Sequence, residues 1–119
     1  MTSKFTELVV DCADPELLAE FWCAVLGYEV TEIDDGEVFI EGAEDAGPGL
    51  LFLQVPGPKL EKNRIHIDVS PSDREQQEEV QRILQLGATT RDIGQGEQSW
   101  VVMADPEGNE FCVLRTRRP

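Results

Sequence analysis

The chain has no apolar run of about 20 residues, the length that a membrane-crossing helix needs. Its N-terminus, Met1-Thr2-Ser3-Lys4-Phe5, lacks the long apolar core of a secretory signal, so a cytoplasmic location is expected. Cysteine is scarce: Cys12, Cys23 and Cys112 are odd in number and widely spaced, with no C-x-x-C pair. That excludes a disulfide framework and fits a reducing compartment. Basic residues are also few. Ten Lys and Arg stand against 24 Asp and Glu, for a net charge of −14. Such a surface repels polyanions, which excludes nucleic acid and anionic membrane as partners. Solubility accounts for the acidity, with a basic partner as the other reading. Two catalytic patterns are missing as well. No nucleophile elbow with Ser, His and Asp in order occurs. Gly94-x-Gly96 is too short for a phosphate loop and does not join a strand to a helix.

What is present is a doubled pattern. The chain of 119 residues has the size of a single domain, and 40% apolar with 29% charged residues is an ordinary globular composition. A helix-ending Leu26-Gly27 recurs as Leu86-Gly87, 60 residues on, and an offset of 59 sets the opening strands against each other, Glu7 on His66. A repeat of that period means two copies of one module. Module one is expected over 1–56, a Pro-stiffened linker (Pro56-Gly57-Pro58-Lys59 and on) over 56–63, and module two over 64–119.

Within module one, strands are expected over 6–11, 28–33, 37–41 and 49–55, the last apolar enough to be central. A helix begins at Asp14-Pro15, with Asp as N-cap and Pro at the first position, and stops at Gly27. Leu17, Leu18, Phe21, Trp22, Val25 and Leu26 fall on its core face. In module two, 64–70 alternates cleanly as a strand, and Ser72-Asp73-Arg74-Glu75 reads as the capping box of a second helix. A flexible loop is expected at Gly94-Gln95-Gly96-Glu97. Asp105-Pro106-Glu107-Gly108 has Pro second and Gly fourth, as a type I turn prefers, between strands at 99–103 and 110–115. The order is βαβββ twice, an α+β fold.

Strand alternation then sorts the faces. Leu8, Val10, Ile65, Ile67, Val69, Phe111 and Val113 form an apolar side for the helices to cover. Glu7, Asp11, Arg64, His66, Asp68, Glu110 and Cys112 lie opposite, joined by Gln54 if its strand has that parity. A plain solvated face would carry neither His66 nor Cys112 by preference, so this side is expected to line a concave, ligand-sized cavity. Its ligand-binding candidates are Phe52, Arg64, His66, Asp68 and Trp100. Phe52 and Trp100 would stack on a ligand, while Arg64 and His66 would orient its polar groups.

The doubled order, the helix Glu16-Leu17-Leu18-Ala19-Glu20-Phe21-Trp22-Cys23-Ala24-Val25-Leu26-Gly27 and the Asp105-Pro106-Glu107-Gly108-Asn109 turn resemble the vicinal oxygen chelate superfamily, the glyoxalase, bleomycin-resistance and dioxygenase group. Asn63-Arg64-Ile65-His66-Ile67-Asp68-Val69 and Trp100–Cys112 look most like small glyoxalase-like proteins of actinobacteria. The resemblance covers essentially the whole chain. It implies a curved, cup-like mixed sheet with helices outside, a homodimer and a small-molecule ligand. It also implies a divalent metal such as Zn, Fe, Mn or Ni at positions that fall on Glu7, Gln54, His66 and Cys112. Only His66 is the residue type usual there. Each has a plainer alternative: Cys112 as a buried thiol, His66 as a hydrogen-bonded cavity residue, Glu7 as an ion-pair partner of Arg64. The expected function is therefore small-molecule binding, without a complete metal site. The alternative is a metal-dependent lyase, isomerase or dioxygenase-like enzyme acting on vicinal oxygens, with Glu7 or Glu110 as its catalytic base.

Overall fold

A computed structural model of the chain describes residues 1–96 and 98–119; Glu97, in the expected flexible loop, lies outside them. The described residues divide into two compact units, Met1–Pro58 and Lys59–Pro119.

The first unit runs β1 (Glu7–Cys12), α1 (Pro15–Leu26), β2 (Glu29–Asp34), β3 (Glu37–Glu41) and β4 (Gly49–Gln54). Its sheet has the order β1-β4-β3-β2, with β1 parallel to β4 and the other pairs antiparallel. The apolar β4 is interior, as its composition requires. Helix α1 opens where the sequence places it. Asp14 accepts the Leu17 N–H at 3.2 Å, Pro15 takes the first turn, and Gly27 closes the helix in the left-handed region at φ 72°. Leu18, Ala19, Phe21 and Trp22 are buried, and the Phe21 and Trp22 rings meet edge-on with centroids 5.2 Å apart. Leu17, expected inside, is exposed. The helix packs on β3 and β4, where Val38, Ile40, Leu50 and Phe52 share one buried face.

The second unit repeats this plan: β5 (Ile67–Val69), α2 (Gln76–Gln85), β6 (Thr89–Thr90), β7 (Val101–Ala104) and β8 (Glu110–Val113). The sheet order β5-β8-β7-β6, with β5 parallel to β8, matches the first unit strand for strand. Among the described residues the fold is thus α+β, two βαβββ modules each with a four-stranded mixed sheet.

Several local expectations change. The strand expected at 64–70 shrinks to three residues, and Ile65, expected in the core, is 72% exposed. Ladder pairing with β8 reaches only Ile67–Val69, so alternation before it has no partner to enforce it. Helix α2 starts later, with Glu75 rather than Ser72 at the N-cap; the Glu75 N–H donates to Glu78 at 3.2 Å. Strand β3 is interior, and the edge strand β2 beside it has all six residues exposed. Residues 59–63, expected as linker, are tied into the second unit: the Lys59 ammonium and the Asn63 N–H both bond the Glu110 carboxylate, at 3.1 and 3.0 Å.

The Asp105 turn forms as the sequence implies. The Gly108 N–H donates to the Asp105 carbonyl at 2.8 Å. The buried Asp105 carboxylate accepts the Glu107 and Asn109 N–H groups, each at 2.9 Å, and the Asn109 amide at 3.0 Å. This clasp sets the register of β7 against β8.

Candidate functional site

The second module gathers three chemically different donors on one face. In the parallel β5–β8 ladder Asp68 stands opposite Cys112, and paired residues share a face. His66 lies two residues before Asp68, just ahead of the strand. Its Nε2 is 3.2 Å from Asp68 Oδ1. One ligand-type atom from each of His66, Asp68 and Cys112 lies within 4.8 Å of the other two. The opposite face, Val69, Phe111 and Val113, is buried along with Val80 and Ile83 of α2.

The donors differ in exposure. His66 and Asp68 are about half open, at 43% and 48%, while Cys112 is 6% exposed. Burial pushes the Cys112 thiol above its ordinary pKa. The negative charge of Asp68, and its hydrogen bond from the thiol, push the same way, against the opposing charge of Lys62. Cys112 is therefore a neutral thiol near pH 7, not a free nucleophile.

Glu110 shares this face but has other partners. It is 6% exposed and accepts from Lys59 and Asn63. Burial would raise its pKa. The hydrogen bonds from the backbone N–H groups of Asn63 and Glu110 itself, and the Lys59 ammonium, outweigh that and hold it below the usual glutamate value. An anchored carboxylate that stays ionised is a weak proton acceptor, so the geometry does not favour Glu110 as a base.

Within the first module the candidate residues divide between two faces of one sheet. Phe52 is fully buried on the helix-covered face, so it lines no ligand cavity. Register places Gln54 on that same face, opposite Cys12, while Glu7 pairs with Gly49 on the other. Glu7 and Gln54 thus lie on opposite sides of one sheet. Gln54 instead donates to the Ala13 carbonyl at 3.2 Å. Arg64 is exposed, as is Trp100, which lies just ahead of β7. Two recesses are lined by residues other than His66, Asp68 and Cys112. One of about 530 Å³ is lined by Lys59, Lys62, Arg91, Glu107 and Glu110, among others. The other, of about 420 Å³, lies over Phe39 and Leu51 beside Glu32, Asp34 and Glu37.

The grouping of Asp68 with His66 and Cys112 was only half visible in the sequence. The His66-x-Asp68 spacing predicts a shared strand face, although the strand begins only at Ile67. Their meeting with Cys112, 44 residues on, depends on a ladder register that periodicity alone does not give.

The chain matches the glyoxalase-like domain over residues 7–114. It belongs to this glyoxalase-like family. Solved structures of the same fold include the fosfomycin resistance protein FosX of Listeria monocytogenes, complexed with Mn(II) and sulfate. It is 21% identical, with a TM-score of 0.72 over 99% of this chain and 93% of that one. FosX of Mesorhizobium loti is 18% identical, with a TM-score of 0.70 over 96% and 92%. A glyoxalase/bleomycin resistance/dioxygenase family enzyme from Burkholderia phytofirmans PsJN is 15% identical, with a TM-score of 0.69 over 91% and 94%. At these identities the likeness concerns the fold. No curated protein matches the chain. Among the described residues of this glyoxalase-like protein, no helix is long and apolar enough to cross a membrane.

Proposed function

We propose that this glyoxalase-like protein binds a small oxygen-bearing molecule at the His66–Asp68–Cys112 face of its second module. The observation that carries the reading is the convergence of these three donors within 4.8 Å, with Asp68 and Cys112 paired across the β5–β8 ladder. A half-open imidazole and carboxylate can exchange hydrogen bonds with carbonyl or hydroxyl groups, above a buried thiol. The same reading includes a cytoplasmic homodimer.

A second reading is a metal-dependent lyase, isomerase or dioxygenase-like enzyme. It is favoured by the makeup of the cluster: imidazole, carboxylate and thiol are all competent ligands, and three of them leave a position open, as catalytic sites require. The listerial FosX holds Mn(II), which lends this reading support by family likeness. His66, Asp68 and Cys112 would hold the ion, which would act as a Lewis acid on a substrate oxygen.

One experiment tests both. His66 is the only histidine in the chain, so its ring proton resonances are unambiguous. Titrating metal-free protein with catechol and with an α-hydroxyketone should shift those resonances, and Asp68→Asn should weaken the response. A shift that appears only after Zn(II) or Mn(II) is added selects the metal-dependent reading. An unmoved ring signal under every condition overturns both.

A further inference from the structure

The two modules share a plan but not a charge. Residues 1–58 hold 13 Asp and Glu against a single cation, Lys4, whereas residues 59–119 hold 11 against nine Lys and Arg. The second unit pairs several of its own carboxylates, Glu110 with Lys59, Glu79 with Arg82 and Glu75 with Arg117. The first unit cannot do so with one lysine. We infer that the recess over Phe39 and Leu51 in the first module binds a small organic cation with an apolar body, of the hydrophobic ammonium class. The inference draws on none of the His66, Asp68 and Cys112 geometry.

Register builds the recess. Val9, Leu51 and Phe39 pair in a row across β1, β4 and β3, and Glu32 of β2 pairs with Phe39. Two residues along, on the same face, Leu53 stands between Asp11 and Glu37, and Asp34 pairs with Glu37. Helix α1 covers the other face, where Val38, Ile40, Leu50 and Phe52 are buried. The uncovered face is thus an apolar centre with carboxylates along its β2 side. Phe39 forms its floor: a Cβ at Gly49 would stand 2.5 Å from the Phe39 ring, so the ring lies across bare backbone. The recess above it has a volume of about 420 Å³, with Glu32, Asp34 and Glu37 in its lining. That is the size of a small-molecule pocket, roughly 300–1,000 Å³.

Floor and rim together choose the ligand. An apolar body lies on Phe39 and Leu51 and gains by leaving water. Its positive group faces Glu32, Asp34 and Glu37, which attract a cation and repel an anion. A bare metal ion does not fit. Among the described residues only His66, Asp68 and Cys112 bring three ligand-type atoms within 4.8 Å of one another, so the rim carboxylates are too spread to converge on one ion. Duplication does not double the site. In the second module Val102, paired with Cys112, takes the place of Phe39, paired with Leu51. Arg91, whose N–H donates to the Val102 carbonyl at 3.0 Å, takes the place of Glu32. A base thus stands where the first module has an acid, and a single bound cation per chain is expected.

The test uses the whole chain and probes that share one phenylbutyl body: 4-phenylbutylamine, a cation at neutral pH, 4-phenylbutanol and 4-phenylbutyrate. Calorimetry at low salt should show the amine bound at a single equivalent, about tenfold tighter than the alcohol, as several screened ion pairs would give. The acid should not bind. Added salt should weaken the amine and leave the alcohol unchanged. Glu32→Gln with Glu37→Gln should remove most of the preference for the amine, and Phe39→Ala should weaken amine and alcohol alike. Glu16→Gln with Glu20→Gln, exposed on α1, removes the same charge and should leave binding unchanged. Equal affinity for amine and alcohol would overturn the inference. An equal loss from the rim pair and the helix pair would do so too, because it would trace the attraction to general acidity. A chain that ignores the amine yet binds a lysine-rich peptide would overturn it in favour of a basic protein partner. The comparison of probes on the wild-type chain decides the matter even if Phe39→Ala fails to fold.

Discussion

At the scale of single residues, the molecule's polar groups fall into two sets. His66 and Asp68 bond to each other but remain half open, so they retain capacity for a ligand. Asp105 and Glu110 are buried, and their oxygens serve the fold. Asp105→Ala removes the acceptor for two backbone N–H groups and the Asn109 amide. Urea unfolding should show a loss of about 2–4 kcal/mol, since buried donors without partners are costly. Glu110 should make stability depend on acid. Its folded pKa is lowered, so its contribution is complete above the unfolded value of about 4.3 and disappears as pH falls through the lower folded value. Urea midpoints measured from neutral pH down to pH 3 should therefore fall less steeply for Glu110→Gln than for the wild-type chain. Equal slopes would show that the Lys59 and Asn63 contacts do not depend on the charge.

At the scale of elements, the termini of α1 and the packing of β3 on β4 follow from particular side chains. Asp14→Ala should cost about 1 kcal/mol, the usual value of an N-cap, read from the thermal midpoint. Gly49 is needed for a different reason. A Cβ there would stand 2.5 Å from the Phe39 ring and 2.9 Å from the Ile40 carbonyl, so the two strands would have to part. Gly49→Ala should lower stability by roughly 1–3 kcal/mol, as overpacking does, and Phe39→Leu in the same chain should restore part of it. Caps and turns were legible because they are local: Asp14-Pro15, Gly27 and Asp105-Pro106-Glu107-Gly108 each carry their own hydrogen-bond logic. Strand extents were not. Residues 64–66 alternate as well as 67–69 do, yet only the latter meet β8. Likewise Ser72 is a good capping residue in isolation, but the helix begins where Glu75 and Glu78 reach each other.

At the scale of the whole molecule, an excess of 14 negative charges should leave its mark on stability. Like charges repel in the compact state, and salt screens them. Raising ionic strength from a few millimolar to physiological should increase the thermal midpoint, and the chain should show no affinity for duplex DNA by mobility shift; a midpoint that falls with salt would mean that local ion pairs such as Arg82–Glu79 outweigh the net repulsion. The duplicated plan was readable in advance, because composition, helix stops and alternating runs recur at a fixed offset and each is a property of neighbouring residues. That determined two βαβββ modules, and the likeness of the motifs determined the family. Which atoms meet was decided only in three dimensions. Sequence placed Phe52 and Gln54 towards a ligand and left Asp68 outside the metal set. Ladder register buried Phe52, sent Gln54 to the face away from Glu7 and set Asp68 against Cys112. A shift of one residue between paired strands exchanges every inward side chain for an outward one, and only pairing between distant segments fixes that shift.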